Sequence, residues 1–267
     1  MSRLEVEAGR RIAYEYHKGT ETPVLLIHGW GATRRAWDPV LPALLAAGHA
    51  VVSFDQRCCG ESDKDFELVT IDAVAGDAVR LCGELGLERV AVNGWSLGGA
   101  VAVATAHRLG TRCAGVISTA GATPRYTAAA HFPHGGTVRD VRATIDALGT
   151  DRIAVLAQIA AAISANPTEG TTQWFFGMLM QMSPAGDAIM LDLASTDQCA
   201  ILRELDVPFL SIVGGRDSFV TPDAGRAAAQ MAREGRVVEC PDAGHAPFVE
   251  DARTYQAALL NFLEKIS

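Results

Sequence analysis

The stretch RVAVNGWSLGGAVAVATAHRLG, residues 89–110, decides the fold. Its first six residues alternate and are rich in β-branched side chains, the pattern of a strand. From Leu97 onward it is small and apolar and closes on Gly110, the pattern of a buried helix with a C-terminal stop. Between them stands one serine, Ser96, with Gly94 two residues before it, Gly98 two after, and Gly99 next. An ordinary serine turn needs no such clearance. A strand passing straight into a helix does, because the backbone bends so sharply that Cβ atoms beside the bend collide. The same bend lifts the hydroxyl clear of the sheet. The spacing marks Ser96 as a nucleophile on a strained turn; the plainer alternative is a tight packing turn with an inert serine.

Outward from this unit the chain alternates strands and helices. Residues 11–17 alternate as a strand, and 23–29 and 50–55 are apolar runs suited to strands buried on both faces. Residues 70–86 read as a helix whose apolar face includes Ile71, Val74, Ala78 and Cys82, capped by Thr70 and stopped by Gly86. Residues 114–121 form a further strand. This order predicts an α/β fold with a doubly wound, mostly parallel central sheet flanked by helices. The rhythm breaks at about Gly121. Residues 122–200 are helical in character, and strands return only at 207–215 and 236–244, each followed by a helix (222–233 and 252–266). The expected organisation is a core of residues 1–121 and 201–267. A helical cap, 122–200, is inserted over the carboxyl ends of the strands, where open α/β sheets hold ligands.

Of 267 residues, 49% are hydrophobic and 20% charged, a globular composition with no apolar run long enough for a membrane span. A net charge of −8 argues against nucleic acid or an anionic membrane surface as partner. The opening MSRLEVEAGRRIAYEYHKG is charged throughout and lacks the apolar centre of a secretory signal, so a cytoplasmic location is expected. Six cysteines (58, 59, 82, 113, 199, 240) are scattered without metal-ligand spacing and read as free thiols, mostly core fillers.

A serine nucleophile needs a base, and the base needs an orienting acid. His245, in CPDAGHAPFVED (240–251), follows the last expected strand and a glycine. Asp217, in IVGGRDSFVTP (212–222), lies just past another strand end; Asp223, at a helix start, and Asp242, in a loop, compete with it. Two backbone N–H groups must also face the developing oxyanion. Leu97 offers one from a helix N-terminus. Trp30, in the glycine-rich HGWGAT (28–33), offers the other, and His28 of that loop reads as structural rather than as the base. In TTQWFFGMLMQM (171–182), Trp174, Phe175, Met178 and Met182 share a helical face. Such a stripe either docks the cap on the core or, through Trp174, Phe175 and Met178, lines an apolar substrate pocket. Arg125, Arg139 and Arg142, near only Asp140, form either solvated surface or a small basic face for an acidic carrier protein.

Taken together, HGWG, GWSLGG, GGRDSFVTP and GHAPFVE, with Ser96, Asp217 and His245 in that order, resemble the α/β-hydrolase superfamily over nearly the whole chain. Within it the likeness is to carboxylesterases that cleave pimeloyl-[acyl-carrier protein] methyl ester. The resemblance implies the α/β-hydrolase fold with a helical cap, Ser96 as nucleophile, Asp217 and His245 as its partners, and Trp30 and Leu97 as oxyanion donors. The expected activity is hydrolysis of a small or medium apolar carboxylic ester without metal or organic cofactor, and an acyl-carrier protein stays open as a further partner. The same residues leave open cofactor-free perhydrolysis of the haloperoxidase kind, lactone or C–C hydrolysis, and ligand reception. One loop departs from the pattern D-x-R-G-x-G-x-S. Here it reads DQRCCGES (55–62), with Cys58 where glycine is usual, so Cys58 or Cys59 either fills packing space or faces the site.

Overall fold

The structure, a computed structural model, describes residues 2–266. Its strands are β1 (Ser2–Glu7), β2 (Arg10–His17), β3 (Glu21–Ile27), β4 (His49–Phe54), β5 (Val90–Trp95), β6 (Cys113–Thr119), β7 (Phe209–Gly214) and β8 (Gly235–Cys240). They form one sheet in the spatial order β1-β2-β4-β3-β5-β6-β7-β8. Pairing is antiparallel at β1–β2 and β2–β4 and parallel elsewhere. The fold is thus the expected α/β hydrolase architecture. Strands β4 to β7 are buried along their whole length, and of these β4 read in sequence as an apolar run suited to burial on both faces. The antiparallel edge strand β1 was not anticipated; its charged side chains mask its alternation.

The helices are α1 (Leu41–Ala46), α2 (Ile71–Glu84), α3 (Leu97–Leu109), α4 (Val138–Thr150), α5 (Arg152–Ala162), α6 (Glu169–Leu179), α7 (Ala188–Ser195), α8 (Cys199–Glu204), α9 (Pro222–Met231), α10 (Pro247–Glu250) and α11 (Ala252–Ile266). Thr70 caps α2 as expected, its Oγ1 accepting from Ala73 N at 3.1 Å. Helices α2, α3, α8 and α9 fill one core against the sheet, and α1, α10 and α11 fill the other. Between β6 and β7, α4 packs on α5 and α7, and α5 packs on α6. Helix α8 instead contacts α3 and α9, so the chain has rejoined the layer beside the sheet by Gln198. The Gln198 amide donates to the Ala100 carbonyl (2.8 Å) and accepts from Thr123 Oγ1 (2.9 Å), joining the two regions. Among the described residues no helix is long and apolar enough to cross a membrane.

From β3 the chain moves to β4 on one side, then crosses back to β5 on the other. The connections leaving β3 and β5 therefore diverge, and their carboxyl ends flank the crevice in which open sheets bind ligands. The loop carrying Trp30 and the turn carrying Ser96 both open there.

Candidate active site

Ser96 joins β5 to α3 with φ +56° and ψ −124°, a conformation that costs a non-glycine residue about 1–3 kcal/mol. Close backbone contacts hold it there. A Cβ on Gly94 would lie 1.9 Å from the Gly98 oxygen, and one on Gly98 would lie 2.3 Å from the Ile27 oxygen. The first contact is the bend closing on itself; the second is α3 seated on the end of β3. Ser96 N donates to the Thr119 carbonyl (3.0 Å), and Ser96 O accepts from the Gly99 and Ala122 amides (2.8 Å each).

Asp217 follows β7. Its Oδ1 accepts from Phe219 N (2.8 Å) and Val220 N (3.0 Å), which turns Oδ2 toward His245 Nδ1 at 2.7 Å. Both residues are buried. The His245 backbone is held from two sides: its N–H donates to the Ile163 carbonyl (2.8 Å), and its carbonyl accepts from Trp95 Nε1 (2.7 Å). Phe219 and Trp95 flank the imidazole, with ring centroids 5.0 and 5.6 Å away. Glu250 clamps the adjoining backbone: Oε2 accepts from Gly244 N (2.8 Å), and Oε1 from Ala165 N (2.7 Å) and Asn166 N (3.3 Å). Asp223 is instead paired with Arg226 (2.6 Å), and Asp242 is exposed. Ser96 and His245 line one cavity, with no direct hydrogen bond between them.

Leu97 is the first residue of α3, and Trp30 lies in the loop after β3. Neither amide donates to another group of the described chain. His28 steadies the Trp30 loop, as its structural reading expects. Its Nδ1 donates to the Gly29 carbonyl (2.7 Å) and its Nε2 accepts from Gln56 N (2.9 Å), fixing the neutral tautomer. Burial, opposed by the Asp55 carboxylate, holds the His28 pKa below its ordinary value. The unfolded imidazole takes up its proton near pH ~6.5. Stability is therefore full above that value and is lost as pH falls below it, where only the unfolded chain protonates readily. The midpoint of thermal unfolding is expected to drop further between about pH 7.5 and about pH 5.5 in the wild type than in His28→Asn. Equal drops would refute this assignment.

The cavity measures about 220 Å³. Its floor includes Ser96, Leu97, Trp30, Trp95 and His245; α4 contributes Val141, Thr144, Ile145 and Leu148, α5 Ile159, and α6 Phe175, Met178 and Leu179. Of the aromatic and methionine stripe, Phe175 and Met178 thus face the cavity. Trp174 packs on Phe175 with centroids 4.9 Å apart and lies outside the cavity wall. Met182 lines a smaller crevice with Gly31 and Cys59. The α4 face was not singled out from sequence, although 141, 144, 145 and 148 follow a helical repeat.

Cys58 sits at φ +68°, the left-handed conformation that explains glycine's usual place there, and its side chain is buried. Neither Cys58 nor Cys59 lines the main cavity, and burial pushes both thiols up, away from thiolate formation. All six cysteines are buried and unbridged. Arg125 pairs with Asp197 (2.6 Å), whereas Arg139 and Arg142 are exposed on α4, so the three do not form one unpaired basic face. Among the described residues, His131, Asp197 and Cys199 cluster at metal-ligand spacing. The Asp197 oxygen nearest His131 already takes the Arg125 guanidinium, an arrangement that suits an ion-pair network rather than a cation site.

The sheet order, the strained serine turn and the His245–Asp217 pair define an α/β hydrolase, and the Alpha/beta hydrolase family model matches residues 24–258. The chain belongs to that family. It is 28% identical to a pimeloyl-[acyl-carrier protein] methyl ester esterase of Neisseria meningitidis, over 91% of this chain and 94% of that protein. It is also 28% identical to a non-heme haloperoxidase of Rhodococcus erythropolis, over 92% of this chain and 93% of that protein. Its fold superimposes on that of an esterase from Exiguobacterium antarcticum with a TM-score of 0.94, covering 98% of this chain and 99% of the other at 23% identity.

Proposed function

We propose that the chain hydrolyses carboxylic esters by two-step acyl transfer through Ser96, His245 and Asp217. The observation that carries this reading is the 2.7 Å Asp217–His245 contact brought into the same cavity as a serine held at φ +56°. The Nδ1 proton directed at Asp217 leaves Nε2 as the acceptor. His245 Nε2 takes the Ser96 proton as Oγ bonds to the ester carbonyl carbon. The unpartnered Trp30 and Leu97 amides receive the oxyanion, a role in which loss of one donor typically costs ~3 kcal/mol. The C–O bond to the alcohol then breaks, and His245 returns the proton to the departing alkoxide. A water deprotonated by His245 attacks the acyl-enzyme, releasing the acid and restoring Ser96. When bound, the substrate closes the serine–histidine hydrogen bond that completes this relay.

The cavity is walled mainly by apolar side chains of α4, α5 and α6, which favours small or medium apolar acyl groups. Initial rates across 4-nitrophenyl esters of increasing acyl length should peak at short or medium chains and fall by roughly tenfold or more for chains that outgrow the cavity. Absence of turnover above the Ser96→Ala background on every ester would sink the proposal. Asp217→Asn is expected to lower kcat by on the order of 10⁴-fold, because the amide reverses the hydrogen bond that selects the imidazole tautomer. Retention of wild-type kcat would remove Asp217 from the reaction.

A second reading is supported by the haloperoxidase relative. In it, hydrogen peroxide replaces water in deacylation and the product is a peracid. Peroxide- and acid-dependent bromination that disappears in Ser96→Ala would support it; bromination retained in that variant would refute it.

A further inference from the structure

One part of the cavity wall comes from the N-terminus of α4. Thr137 caps that helix, and the Asp140 carboxylate turns back to accept from Thr137 N (3.0 Å) and Thr137 Oγ1 (2.7 Å), completing a capping box. Thr137, Asp140, Val141 and Thr144 all line the cavity. An unoccupied helix N-terminus would draw an anion; here Asp140 already supplies the negative charge.

The remaining wall offers no counter-charge. Among the described lining residues none is Lys or Arg. Arg139 and Arg142 are exposed on α4 outside this wall. Burial first, then the Asp217 and Asp140 carboxylates, push the Tyr126 phenol up, and Tyr126 lines the cavity. The two Thr137 hydrogen bonds keep Asp140 ionised, holding its pKa below the usual carboxylate range.

We infer that this cavity selects acyl groups by charge, admitting short uncharged acyl chains and rejecting those that end in a carboxylate, with Asp140 as the specificity-determining side chain. The inference rests on the ester-hydrolase reading and narrows it to a substrate class. A carboxylate entering the cavity would lose water and meet no lining cation, and Asp140, an exposed member of the wall, adds a like charge there that water and salt screen.

The test compares mono(4-nitrophenyl) glutarate, whose acyl chain ends in a carboxylate, with its neutral methyl ester, which is bulkier. Rates are corrected against Ser96→Ala. The acid is expected to have a kcat/KM at least ~10-fold below that of the methyl ester in the wild type. The ratio should narrow several-fold in Asp140→Asn, which keeps an acceptor for the helix cap. It should also narrow in the wild type as salt rises from about 0.02 M to about 0.5 M, a readout independent of any variant's folding. Equal efficiencies for the two esters, or a ratio unmoved by both salt and substitution, would overturn the inference. Rejection of the methyl ester alongside the acid would make the limit one of size and also overturn it. If neither these nor shorter esters were cleaved above background, the ester-hydrolase reading itself would fail, and the inference with it.

Discussion

Ser96→Ala is expected to lose ester turnover by on the order of 10⁴-fold or more in kcat while keeping the fold. Alanine removes the attacking oxygen and leaves the Trp30 and Leu97 amides and the His245–Asp217 pair in place, so residual rate above water comes from binding and oxyanion stabilisation alone. The same position gives a stability result of its own. Alanine inherits the φ of +56°, whereas glycine adopts it without strain. Ser96→Gly should therefore be as inactive as Ser96→Ala but more stable than it by about 1 kcal/mol, after allowance for glycine's greater unfolded entropy. Turnover within tenfold of wild type in either variant would place the nucleophile elsewhere. A Ser96→Gly protein less stable than Ser96→Ala would remove the strain argument.

Gly94→Ala is expected to cost about 4 kcal/mol or more, enough to threaten a domain whose net stability is ~5–15 kcal/mol. The added Cβ would lie 1.9 Å from the Gly98 oxygen and 2.4 Å from its carbonyl carbon. Both atoms are backbone at the start of α3, so no rotamer change relieves the clash, and the turn can yield only by moving Ser96. Gly83→Ala is the matched control. Gly83 is exposed within α2 and a Cβ there meets nothing within 4 Å. That substitution should stabilise the chain by up to ~1 kcal/mol through helix propensity. The two urea midpoints should move in opposite directions, and a tolerated Gly94→Ala would show that the turn relaxes at little cost.

The sheet was legible because strands buried on both faces leave unbroken apolar runs, and the serine turn was legible because backbone collisions leave glycines at fixed spacing. What escaped sequence reading has physical reasons. Strand β1 pairs at an edge, where Arg3, Glu5 and Glu7 stay in or near water, so its alternation around Leu4 is weak. The sequence reading put Trp174 on the cavity face with Phe175 and Met178; adjacent residues point about 100° apart on a helix, and Phe175 turned to the cavity while Trp174 packs beside it. Val141, Thr144, Ile145 and Leu148 carried a helical repeat with one polar member, Thr144, which blurred it. Glu250 is silent in sequence because its three partners are backbone amides, which any residue can supply.

The Glu250 clamp has a mechanical consequence. The loop bearing His245 and the turn between α5 and α6 share one carboxylate and the Ile163–His245 hydrogen bond, so they travel as a single body. Chimeras that exchange the helical region between relatives should then keep a working base only when the graft junctions spare residues 163–166.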